Sequence, residues 1–402
     1  MVRRGLPYRR SKLSTVSDSS TEPARAGAAS AGAAGTGPAG TGPASTGPDS
    51  GTGGRFPWPP GCATGIGSMP GTDPAEAMRI VLGELPDLPH LAELPARGPG
   101  AGLTGRTAAL LVDLPVEITP TGWRLVGRPG RDLSRARSLL SSDLDALEET
   151  AGGYQGSLKI QVCGPWTMAA TIELARSQDP ALADPGAVAD LTASLAEGVR
   201  AHVDEVRKRV PGAQVLLQLD EPALPAVLAA SVPTASGLNR LPAPEQADAE
   251  AGLRAVAGPA RAAVVVHCCG PEVPFGMIKA AGVQAVSLDL SLLRRDEEDG
   301  LAEIVEAGLG ILAGAVPATA SGSAERGGAR LPDPAVTARR VVDLWRRMGW
   351  PAASGTGRDD VAGQVVLTPA CGLAGASPGY ARAALAQCRE AARLLPELIE
   401  EG

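Results

Sequence analysis

Short apolar runs alternate with amphipathic stretches along most of this sequence, and few architectures tolerate that rhythm. The apolar runs lie at 61–66, 157–163, 213–219, 262–267, 283–288, 309–315 and 364–368. Their near-continuous apolar character suits strands covered on both faces. The stretches between them have readable helix starts. Asp73-Pro74, Asp184-Pro185, Asp333-Pro334 and Ser377-Pro378 each set a capping side chain before a proline suited to the first helical position. After Asp184, residues Val188, Leu191, Leu195, Val199, Val203 and Val206 form one stripe that stops at Pro211-Gly212. A last helix is expected over about 378–400. Seven strands, with an eighth expected within 86–125, predict an α/β protein of the (β/α)8 TIM-barrel type. The alternative is an open doubly wound sheet, but no G-x-G-x-x-G or phosphate-loop pattern opens any helix. A hairpin is expected to interrupt the pattern at 116–126, turning at Thr121-Gly122.

The barrel is expected over 56–402 and a disordered low-complexity tail over 1–55. Residues 17–55 contain no Val, Leu, Ile, Met or aromatic side chain, so they cannot bury enough apolar area to offset chain entropy. The arginines at 3, 4, 9 and 10 precede no apolar segment, so they read as a basic extension and not as a secretion signal. In the 402-residue chain, 44% hydrophobic residues supply a core, built mainly from aliphatic side chains because aromatics are only 2%. A net charge of -7 without a basic stripe argues against nucleic acid as a partner. No apolar run approaches the roughly 20 residues of a membrane span. Six cysteines in a chain this long are not a disulfide scaffold, and a reduced, cytoplasmic setting is expected.

The chemically distinctive residues fall just after the apolar runs. Gly67-Ser68, Gly164-Pro165-Trp166-Thr167, Asp220-Glu221-Pro222, His267-Cys268-Cys269, Asp289 and Cys371-Gly372 all do so. In a parallel barrel such positions converge on one face, where catalysis takes place. In an extended segment residues two apart share a side, so His267 and Cys269 can face the mouth while Cys268 faces the helices. Imidazole and thiolate together suit zinc, and Cys371 would complete a three-ligand set. The bland alternative is a buried strand end with inert thiols.

Taken in order, these pieces resemble the C-terminal catalytic barrel of cobalamin-independent methionine synthase, within the wider uroporphyrinogen-decarboxylase-like superfamily. The likeness rests on Gly-Ile-Gly-Ser (65–68), Gly-Pro-x-Thr (164–167), Gln-Leu-Asp-Glu-Pro-Ala-Leu (218–224), His-x-Cys (267–269), Val-Ser-Leu-Asp (286–289) and Pro-x-Cys-Gly-Leu (369–373). It implies Zn2+ held by His267, Cys269 and Cys371, with Asp289 at the place of a family glutamate as ligand or orienting group. It implies homocysteine as substrate, with Asp220 holding the amino group and the Gly67-Ser68 turn clamping the carboxylate. Glu221 is a possible second acid beside Asp220. The methyl donor implied is methyl-folate or a methylated corrinoid protein.

Three features depart from the family. The chain has room for one barrel where the full-length enzymes have two. The stretch 314–328 has no histidine where the family carries one after its seventh strand. The folate contacts are not recognisable, although Trp166 could stack on a flat ring. A metal-free decarboxylase of the same superfamily and a non-catalytic zinc-binding relic therefore stand as alternatives. Among the remaining residues, His90 reads as part of a surface loop, with a substrate-facing loop as the alternative, and Arg97 and Arg106 as solvent-facing loop residues, with contacts to an anionic donor as the alternative. Cys62, Cys163 and Cys388 read as packing thiols, 294–299 as a solvated helix start, and 318–330 as a lid or linker.

Overall fold

The computed structural model describes residues 55–319, 331–349 and 362–400. All of the tail before Arg55 and most of the 318–330 loop lie outside the described residues. In chain order the strands are β1 (Val116–Thr119), β2 (Gly122–Leu125), β3 (Gly156–Cys163), β4 (Ile172–Glu173), β5 (Ala213–Asp220), β6 (Ala263–Cys268), β7 (Ala285–Asp289), β8 (Gly310–Val316) and β9 (Val365–Pro369). Six of them form one curled sheet in the order β3-β5-β6-β7-β8-β9, with every neighbour parallel. Helices connect successive strands, including Pro185–Arg209, Gln246–Ala257 and Pro334–Arg347. The result is a mixed α/β fold built on a half-barrel of regular sheet.

The expected first strand at 61–66 is not a regular strand, and the segment at 89–93, the part of 86–125 that lies beside the curled sheet, is not one either. Each is an extended segment joined to its neighbours by single bridges. Ala63 bridges Leu367 of β9, Ser68 bridges Glu93, and His90 bridges Lys159 of β3, all parallel. Glycines at 65 and 67 and prolines at 59, 60, 70 and 89 break up these segments, which explains why no longer ladder forms. The hairpin is present as β1 and β2, but Thr119 pairs with Gly122, so the turn is Pro120-Thr121 and not Thr121-Gly122. It joins β4 in a separate three-stranded sheet.

The helix starts follow the sequence. Asp73, Asp184 and Asp333 accept hydrogen bonds from backbone N–H groups of the following turn, and Ser377 accepts one from Tyr380. In Pro185–Arg209 the residues Leu191, Leu195, Val199, Val203 and Val206 are fully buried, while Val188 is only half-buried.

The two faces of the sheet carry different cores. Leu158, Ile160, Val162, Leu217, Leu219, Val264, Val266 and Ile311 pack into the large core beneath the helices. On the opposite, concave face Leu216, Val265, Ala285, Leu312 and Val366 join Cys62, Leu88, Phe56 and Trp58 in a separate apolar cluster. Phe56 and Trp58 stack with ring centroids 5.1 Å apart. Two residues further along four of these strands, the same concave face turns polar: Gln218, His267, Ser287 and Thr368 are all buried there.

Three loop expectations are corrected. His90 is fully buried, not exposed, and burial depresses its pKa to about 3. Arg106 is also buried, and Arg97 is largely so; both pair with the buried carboxylate of Asp143. A buried carboxylate needs such partners, and the chain supplies two. Cys62, Cys163 and Cys388 are buried as expected.

Candidate metal centre

At the C-terminal end of β6, His267 and Cys269 point to one side while Cys268 is fully buried on the other. Cys371 follows β9. The ligand atoms of His267, Cys269 and Cys371 all lie within 4.8 Å of one another, and among the described residues this is the group of such donors that could hold a metal ion. The two sulfurs are 3.3 Å apart. The imidazole Nδ1 is 2.9 Å from the hydroxyl of Ser287, whereas Nε2 is buried without a hydrogen-bond partner. An Nδ1–H donated to Ser287 leaves the Nε2 lone pair free, which is how a metal-ligating histidine is usually oriented. The contact with Cys269, and then the nearby His267 ring, lowers the Cys371 thiol well below its ordinary value; the contact between the two sulfurs raises Cys269. One imidazole and two sulfurs in this arrangement fit a borderline-soft divalent ion such as zinc.

Asp289 is not part of the trio. Its Oδ1 accepts from the backbone N–H and hydroxyl of Ser291, at 2.8 and 2.7 Å. The carboxylate lines a cleft of about 650 Å³ that also reaches Cys371, Arg340 and Arg347. The Gly67-Ser68 turn lies at the same end of the sheet: the Ser68 carbonyl accepts from Leu373 N–H at 2.8 Å, two residues beyond Cys371. Gly67 has no room for a side chain, because a Cβ would come 2.8 Å from Gln161 Nε2.

Asp220 and Glu221 are adjacent in sequence but do different work. Asp220 pairs across the sheet with His267 and Cys163, at the polar end of the concave face. Gln218 Nε2 donates to its Oδ1 at 2.7 Å, and burial raises its pKa. Glu221 is completely buried and turned toward the Pro165–Thr171 helix. Its two oxygens accept from Trp166 N–H, Thr167 N–H and the Thr167 hydroxyl at 2.7–2.9 Å. Burial nonetheless pushes it up to about 7. Trp166 is fixed among the helices, its indole N–H donating to Ala249 O at 2.9 Å.

Beneath the trio lies a polar layer that the apolar-run reading overlooked. Lys159, Gln161, Gln218 and Glu93 are all buried, with Lys159 fully so. Glu93 accepts from Gln161 at 3.2 Å and lies 3.6 Å from Arg106. A signal was available: in SLKIQVC and VLLQLD the polar residues recur at every second position, which marks one face of a strand.

The fold and these residues define a class: an α/β protein with a His–Cys–Cys cluster at the C-terminal mouth of a curled parallel sheet. The comparisons narrow the class. Residues 62–394 match the family described as "Cobalamin-independent synthase, Catalytic domain", and the chain belongs to that family. Its structure is similar to that of a B12-independent methionine synthase from Shewanella sp. W3-18-1, solved in complex with selenomethionine. That likeness has a TM-score of 0.54 at 13% identity and covers 85% of this chain and 100% of the other, so it speaks to the fold. No curated protein matches. Among the described residues no helix is long and apolar enough to cross a membrane.

Proposed function

We propose that this chain is a zinc-dependent S-methyltransferase that activates the thiol of homocysteine and methylates it to methionine. The observation that carries the reading is the unpartnered Nε2 of His267 beside the two sulfurs of Cys269 and Cys371. A metal-free decarboxylase, the runner-up, leaves that cluster without a purpose. When bound, zinc makes a ligating thiol a thiolate at neutral pH, where a free thiol of pKa about 8.5 is mostly protonated. Two cysteinates already balance the charge of a divalent ion, so the substrate sulfur keeps its nucleophilicity.

The chain's own residues then do the binding and positioning. Asp220 takes the substrate ammonium, and Gly67 N–H with the Ser68 hydroxyl takes its carboxylate. Glu221 serves this grip only indirectly, by pinning the 164–167 turn to the end of β5. Asp289 remains the candidate fourth donor; its Oδ1 is held by Ser291. Fixing a nucleophile in line with a methyl group is worth several kcal/mol of barrier.

In the transfer the sulfur bonds to the methyl carbon and the donor leaves with the bonding electron pair. A folate nitrogen leaves well only if protonated, and 314–328 offers no histidine for that. A corrinoid needs no proton to leave, which favours a methylated corrinoid protein over methyl-folate as donor. The same reading completes the sheet as a (β/α)8 barrel, with segments 62–69 and 89–93 as the two remaining staves. Leu367 N–H donates to Cys62 O and Thr64 N–H to Leu367 O, while Lys159 N–H donates to Pro89 O and Leu91 N–H to Lys159 O, and these bonds support that closure. Six free cysteines fit a reducing cytoplasmic setting.

The test is methionine formation by the zinc-loaded protein from homocysteine with methylcobalamin, a methylated corrinoid protein and methyl-folate in parallel. Methionine from a corrinoid donor is expected. Turnover with free methyl-folate alone would overturn the donor assignment, and no product from any donor would leave a non-catalytic binder.

A further inference from the structure

Lys159 is the largest fully buried side chain among the described residues, and it stands where an apolar residue would be cheaper. Its Cα is in register with Leu216, a member of the apolar layer on the concave face. The stem therefore starts in that layer, and only the ammonium reaches the polar residues beyond. There Nζ donates to the carbonyl of Ile66 at 2.8 Å and to Gln218 Oε1 at 2.7 Å, with Gln161 Oε1 at 3.4 Å.

Each acceptor leads to one part of the proposed substrate grip. Ile66 is the residue before the Gly67-Ser68 turn. Gln218 passes the interaction on, its Nε2 donating to Asp220 Oδ1 at 2.7 Å and to the same Ile66 carbonyl at 2.9 Å. Gln161 donates in turn to Leu91 O at 2.8 Å and to Glu93. The ring of His90 and the carboxylates of Asp220 and Glu93 complete the charged or titratable surroundings of the ammonium.

We propose that Lys159 is a positioning residue for the amino-acid end of the substrate. Its one ammonium fixes the Gly67-Ser68 turn and, through Gln218, the Asp220 carboxylate at a set separation. The inference rests on the homocysteine reading above. Lys159 does not touch the thiol or the metal-binding trio, so its effect falls on recognition of the α-amino and carboxylate groups.

The experiment is calorimetric titration of the zinc-loaded protein with L-homocysteine and, separately, with 1-propanethiol, which has the thiol but neither α-substituent. In Lys159→Met the affinity for homocysteine is expected to fall at least about tenfold, the scale of one lost charge-assisted hydrogen bond. Affinity for 1-propanethiol and zinc content are expected to stay at wild-type levels. Gln218→Met, which cuts the link to Asp220 but leaves the Lys159 bond to the Ile66 carbonyl, should show the same selective loss at smaller size, and it serves if Lys159→Met does not fold. Equal losses for both thiols, or no loss for homocysteine, would overturn the inference while leaving the proposed function standing. Failure of the wild-type protein to bind homocysteine would overturn both.

Discussion

The sulfurs of Cys269 and Cys371 lie 3.3 Å apart although 102 positions separate the residues. Their strands, β6 and β9, are not neighbours; β7 and β8 lie between them. In a flat sheet three strand spacings would hold the strands roughly 14 Å apart. The thiols meet because the sheet curls and both follow their strands at the same end. The cluster is thus a product of the fold as much as of the motifs.

The Nδ1 atom of His267 lies 2.9 Å from the Ser287 hydroxyl on β7. Ser287→Ala removes the acceptor for Nδ1–H and leaves the ring free to choose either nitrogen. Zinc affinity is expected to fall about 10–100-fold, as for other lost partners of ligating histidines. Competition against a chromogenic chelator measures it. An unchanged affinity would show that packing alone orients the ring.

Glu221 caps the Pro165–Thr171 helix from inside the protein. Glu221→Gln replaces an acceptor oxygen with an amide NH2 facing backbone donors. A loss of about 1–3 kcal/mol in unfolding free energy is expected, the cost of leaving a buried donor unmet. Urea denaturation measures the loss, with zinc content unchanged. A substrate-binding role would instead give normal stability with weakened homocysteine binding.

His202 is buried in the Pro185–Arg209 helix, and burial depresses its pKa to about 3. Its unfolded value is ordinary, near 6.5. The unfolded state therefore binds more protons between these values, and stability is full above pH 6.5 and falls as pH drops toward 3. Asp220 and Glu221, raised by burial, oppose this trend in the wild type. The difference between wild type and His202→Leu isolates the histidine. It is expected to shift in favour of the variant by up to about 1.4 kcal/mol per pH unit below 6.5. Parallel urea profiles at pH 7.5 and 5.5 would contradict it.

The apolar layer of the concave face is structural, not chemical. Leu312→Ala, at a fully buried site of that cluster, is expected to cost about 2–5 kcal/mol. Zinc binding should persist at temperatures where the variant remains folded. Loss of metal without loss of stability would show that this layer and the site are coupled.

Much of this arrangement was legible in the chain. Six of the seven apolar runs became the parallel sheet, because buried strands need little beyond β-branched and aliphatic side chains. The four pairs Asp73-Pro74, Asp184-Pro185, Asp333-Pro334 and Ser377-Pro378 each opened a helix, since capping is a local interaction. His267, Cys269 and Cys371 were readable from strand-end position and donor chemistry. The run at 61–66 misled, because a string of apolar residues does not reveal how much ladder its glycines and prolines permit. His90, Arg97 and Arg106 misled for another reason: their burial depends on partners far away in sequence, such as Asp143 for the two arginines. The interior role of Lys159 was hidden by its long stem, which satisfies an apolar layer and a polar one at once.

The central claim is that His267, Cys269 and Cys371 hold one zinc that takes up the homocysteine thiol. Its most direct measurement is elemental analysis joined to proton release on adding homocysteine, in wild type and Cys371→Ala. Zinc is expected in the wild type with about one proton released per bound thiol, since ligation requires the thiolate, and both are expected to be lost in the variant. Zinc content that is unchanged in Cys371→Ala would contradict it.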